Sequence, residues 1–100
     1  MGFIQDQRMG SHEVDFGEGK VTVYFRKMSL FEMDLIEKAR EKGTVDSIVQ
    51  TVMIRARTDA GVLMFAEADR SKVIRQFNPD AVLELVKAIN SFDVDGKSGN

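Results

Sequence analysis

One hundred residues leave room for a single core, since domains typically run to about 100–150 residues, and a chain 43% apolar and 30% charged can fold that core without metal or disulfide help. The absence of cysteine excludes disulfide scaffolds, thiolate metal sites and cysteine nucleophiles, and the single histidine, His12, excludes multi-histidine metal centres. Fourteen basic residues against sixteen acidic ones give a net charge of −2, which removes the long-range attraction that nonspecific nucleic-acid binding requires.

No apolar run approaches the roughly 20 residues of a membrane span; the longest is Val62 to Ala66. No stretch of secretory type precedes Asp6 and Arg8, so a cytoplasmic address without membrane association is expected. Met9-Gly10-Ser11-His12 reads like a vector scar or a second start, so residues 1–12 are expected to form a disordered leader or tag. The single folded domain is expected over 13–92, with a flexible polar tail over 93–100.

In chain order, the first element is a hairpin from Val14 to Lys27, turning at Gly17-Glu18-Gly19, with Val21, Val23 and Phe25 on its buried face. Ser29-Leu30-Phe31-Glu32 has the spacing of a capping box and starts a helix over Ser29 to Lys42, with Phe31, Leu35, Ile36 and Ala39 inward. Met28 and Met33 flank that cap as a hydrophobic staple. Gly43 ends the helix and Thr44 caps the next, which runs to Arg57 with Val45, Ile48, Val49, Val52, Met53 and Ala56 along one stripe. Arg55 and Arg57 fall where cations favour the helix dipole. After a turn at Thr58 to Gly61, the stretch Val62 to Phe65 suits either a strand or a core plug. A brief helix over Asp69 to Gln76 is expected to bury Val73 and Ile74, with Phe77 just beyond. Asn78-Pro79-Asp80 then opens a last helix to about Ser91, with Val82, Leu85, Val86 and Ile89 inward. The fold class is mainly α: a small domain of about four helices with a short N-terminal β-hairpin.

Few residues are spaced for chemistry. Gly96-Lys97-Ser98 lacks the earlier glycine and the following helix of a phosphate loop. Asp93-Val94-Asp95-Gly96 stops before the glutamate that a calcium loop requires. Asp34, Glu37 and Glu41 are interleaved with Lys38 and Arg40, the pattern of a solvated helix face, and His12 has no evident partner. Arg26 with Lys27, and Arg70 with Lys72 and Arg75, lack the basic run and interleaved aromatics of a nucleic-acid site. No catalytic residue, metal ligand or cofactor is assigned, and the expected activity is binding.

The order of elements is more informative. Phe25 to Glu37 joins a strand to a capped helix, a long amphipathic helix leads to Thr58-Asp59-Ala60-Gly61-Val62-Leu63-Met64-Phe65, and Asn78-Pro79-Asp80-Ala81-Val82 opens a helix closing on Ala88-Ile89-Asn90. From Val21 to about Ser91 the chain resembles the tail assembly chaperones of long-tailed bacteriophages, departing from their pattern at Ala60. The resemblance implies a noncatalytic protein of the host cytoplasm that binds the tape-measure protein, keeps it soluble and is displaced as tail-tube subunits polymerise. It also implies self-association, contact with the tube protein and a longer form made by frameshifting near Gly96-Lys97. Six methionines suit a promiscuous helix-binding surface. The alternative is a head–tail connector or tail-completion subunit that stays in the virion. Helical projection places Leu30, Ile54 and Leu83 off the buried stripes, and these three are the expected partner-binding residues.

Overall fold

Alternating polar and apolar residues on either side of Gly17-Glu18-Gly19 form an antiparallel hairpin of β1 (Met9–Asp15) and β2 (Lys20–Arg26). The computed structural model, which describes residues 8–95, pairs them from Met9 with Arg26 to Asp15 with Lys20. The Asp15 carboxylate holds the turn, accepting from the N–H groups of Gly17 at 2.7 Å and Gly19 at 3.2 Å.

β1 thus starts inside the segment expected to be a leader. Met9 to His12 are strand, and Gly10 and His12 are buried. Gly-Ser-His is a poor strand former by propensity; partners on β2 and packing of the last helix against β1 impose the strand here. A Cβ on Gly10 would lie 2.6 Å from the Phe25 ring and 2.7 Å from that of Phe92, both buried. Gly10→Ala is therefore expected to cost about 1–3 kcal/mol by overpacking, measurable as a lower denaturation midpoint. Residues 1–7 lie outside the described residues.

Four α-helices follow among the described residues: α1 (Leu30–Arg40), α2 (Thr44–Arg55), α3 (Arg70–Arg75) and α4 (Pro79–Asp95), with a 3-10 turn at Glu67–Asp69. None is long and apolar enough to cross a membrane. The Ser29 hydroxyl accepts from the Glu32 N–H at 3.1 Å, and the Glu32 carboxylate accepts from the Ser29 N–H at 2.9 Å, closing the capping box. Thr44 is not a cap. Gly43 takes that place at φ 143°, a conformation open to glycine, and no side chain caps α2. The Asn78 side chain accepts from the Asp80 N–H at 3.0 Å, while the Asn78 N–H donates to the Phe16 carbonyl at 2.9 Å and ties the start of α4 to the hairpin.

The core joins Val14, Phe16, Val23 and Phe25 of the hairpin to Val49, Val52, Met53 and Ala56 of α2 and to Val82, Leu85, Ile89 and Phe92 of α4. Phe77 stacks on Phe16 at 4.4 Å and Phe65 meets both edge-on. Val62 to Phe65 is not a strand: it makes one isolated bridge, and only its second half plugs the core. Leu63 bridges Arg57, which bridges Tyr24 of β2, while Met64 and Phe65 pack on the core.

Several residues expected inside are exposed: Val21, Phe31, Val45 and Ile74. α1 packs chiefly on α2 and buries only Ile36, and Phe31 in its first turn lines an open groove rather than the core. Conversely Thr51, expected outside, is buried with its hydroxyl donating to the Ser47 carbonyl at 2.8 Å. α4 runs four residues past the expected stop at Ser91, because Phe92 enters the core and Asp93 finds a buried partner. The tail expected from residue 93 is thus helical to Asp95; residues 96–100, including Gly96-Lys97-Ser98, lie outside the described residues.

Candidate functional site

α2 divides two grooves, one apolar and one of mixed lining. Residues nine apart on a helix, at about 100° each, lie on opposite sides, so Val45 and Ile54 face different neighbours. Val45 and Ile48 line the first groove with Ile74 of α3 and with Pro79 and Leu83 from the start of α4. Its lining is wholly apolar, floored by Val49, Val73, Phe77 and Val82, and its volume is about 280 Å³. Val45, Ile74 and Leu83 are 62%, 51% and 50% exposed. A shallower depression shares Ile48 and Leu83 and continues past Val86 to Val94. Because the floor residues belong to the core cluster, the groove is set by the fold itself.

The second groove, about 560 Å³, lies beside the start of α1. Phe31, Leu35, Ile54 and Leu63 supply apolar surface, and Arg26, Lys27, Glu32 and Arg57 form the rim. Leu30, 81% exposed, precedes Phe31, 71% exposed. Ile54 does not project freely as the helical projection implied. It is half-buried and packed against the core, in the groove that Leu35 and Leu63 also line. The three expected contact residues therefore do not form one surface: Ile54 and the exposed Leu30–Phe31 pair belong to the α1 side, and Leu83 to the α2–α4 side.

Charged groups outside the grooves are mostly paired locally. Lys38 meets Asp34 at 3.0 Å and Arg40 meets Glu37 at 2.7 Å on the exposed face of α1. A hydrogen bond from Arg70 holds the Glu67 carboxyl below the usual glutamate range, against a smaller opposing effect of burial; the same bond raises Arg70. His12 is buried with Nδ1 unpartnered among the described residues, and its Nε2 lies 3.9 Å from Glu84. Among the described residues no three histidines or carboxylates converge as metal ligands would.

One structural pair escaped the sequence reading. Arg55, 2% exposed, forks onto Asp93 at 2.9 and 2.7 Å and donates to the Arg26 carbonyl at 2.6 Å, joining α2, α4 and β2. The available signal was position: Arg55 follows Val52 by three and Ile48 by seven, which places a cation on the apolar stripe and demands an anion within reach.

No family model matches the chain, and no curated protein or solved structure matches it either.

Proposed function

We propose that this chain is a noncatalytic tail assembly chaperone of the kind long-tailed bacteriophages use, holding apolar helical faces of the tape-measure protein in the host cytoplasm until tail-tube subunits polymerise around it. The observation that carries the reading is the wholly apolar groove between α2 and α4, with Val45, Ile74 and Leu83 exposed above a packed floor. Such a groove accepts the apolar face of an amphipathic helix, whose side chains at three- and four-residue spacing drop between the walls. Burying each exposed anchor contributes roughly 1–3 kcal/mol, so one copy binds modestly, and many copies along a long client keep it soluble. The order of elements from Val21 to Ser91 supports the same reading.

Leu83→Asp and Val45→Asp test it, because both side chains are exposed and their replacement leaves the core intact. Each is expected to lower co-purification with a co-expressed tape-measure protein at least tenfold, with little change in the denaturation midpoint. Wild-type recovery by both variants would remove the groove as the client site. Finding the chain in purified mature particles would replace the chaperone reading with that of a connector or tail-completion subunit.

A further inference from the structure

The groove beside α1 differs in chemistry from the helix-sized groove across α2. Its edge carries open backbone groups. The Thr58 N–H donates to the Val62 carbonyl at 2.8 Å and the Met64 N–H to the Ala56 carbonyl at 2.9 Å, so these bonds flank the Arg57–Leu63 bridge. In that antiparallel pattern the N–H and C=O of Leu63 itself turn away from Arg57, and neither bonds to a described residue. Paired residues share a face, so the Leu63 and Arg57 side chains lie on the same side, and both line the groove.

Charge selects the occupant further. Arg57 is already engaged, 3.6 Å from Glu32 and donating to the Gly61 carbonyl at 2.7 Å. Arg26 and Lys27 are exposed and make no ion pair with a described residue. Two cations without an ion pair among the described residues thus edge a groove of mixed lining on a chain whose net charge is −2.

We propose that this edge captures an extended segment of a partner protein, adding it as a strand against Leu63, with an apolar side chain packed toward Phe31 and Ile54 and acidic side chains directed to the end of the groove that Arg26 and Lys27 line. Strand geometry returns every second side chain to the same face, so apolar and acidic side chains at alternate positions both point into the groove. Open amide groups favour a peptide over a nucleic acid, which would bring its own dense negative charge to an acidic chain. The site is independent of the helical groove, and its failure leaves the chaperone reading intact.

The test is fluorescence anisotropy of the full chain with a labelled peptide, Ser-Thr-Leu-Thr-Asp-Thr-Asp-Gly. Saturable binding that weakens with salt is expected. Replacing both aspartates with lysine, or methylating the leucine amide nitrogen, is expected to weaken it at least tenfold. The protein variant Arg26→Glu/Lys27→Glu is expected to do the same with an unchanged thermal midpoint, since it alters exposed side chains and leaves the Arg26 carbonyl in place for Arg55. Absence of binding to the parent peptide, equal binding of the lysine or N-methylated peptide, or wild-type affinity in the double variant would overturn the proposal. So would displacement of the bound peptide by oligothymidylate, which would make the site one for nucleic acid. Tenfold tighter peptide binding by Phe3→Ser/Ile4→Ser would overturn it in favour of the chain's own N-terminal segment.

Discussion

Asp93→Ala is expected to destabilise the fold by about 3–5 kcal/mol, the usual cost of removing one partner from a buried ion pair and stranding the other charge. Arg55 is the charge left behind. Its guanidinium is almost wholly buried and donates two of its hydrogen bonds to Asp93, so without the carboxylate only the bond to the Arg26 carbonyl remains. The loss is a large share of the stability of a small domain, which typically totals about 5–15 kcal/mol. Replacing the pair together, as Arg55→Met/Asp93→Leu, is expected to be far milder, because no uncompensated charge is then buried. Urea denaturation of the single and double variants checks both statements. A single variant as stable as wild type would mean that Arg55 is solvated and that α4 does not close over it.

Phe92→Ala is expected to cost a similar amount, about 3–5 kcal/mol. The ring is buried, meets Phe25 edge-on at 5.5 Å and occupies the space that the missing side chain of Gly10 leaves open. Its removal opens a cavity between β1 and α4 that neither backbone can collapse to fill. The neighbouring Ser91 is exposed, so Ser91→Ala should change the midpoint by only a few tenths of a kcal/mol. Equal midpoints for the two variants would place the end of α4 at Ser91 after all.

Local chemistry was readable in the sequence, and distant pairing was not. The Ser29–Glu32 box and the Asn78-Pro79 start need only residues within one turn, so their spacing sufficed. The Val49, Val52, Met53 and Ala56 stripe was likewise plain, being set by the period of one helix. Periodicity says which face is apolar, however, and not whether anything lies opposite it. Phe31, Val45 and Ile74 were misplaced for that reason, and the error matters, because two of the three line the groove proposed for the client. Leu83 was rightly placed outside, whereas Ile54 shares its groove with Leu63, a neighbour that no helical projection contains. Arg55 and Asp93, separated by 38 residues, and Gly10 with Phe92 depend on contacts between elements far apart in the chain.

The proposal that an apolar helix seats between α2 and α4 is tested most directly by methyl NMR of the protein during titration with an amphipathic helical peptide from the proposed client, a tape-measure protein. Saturating shifts at Val45, Ile48, Ile74 and Leu83, with Leu30, Leu35, Ile54 and Leu63 unchanged, are the expected result. Shifts centred on Leu30, Ile54 and Leu63, or none at any of these methyls with the peptide in excess, would contradict it.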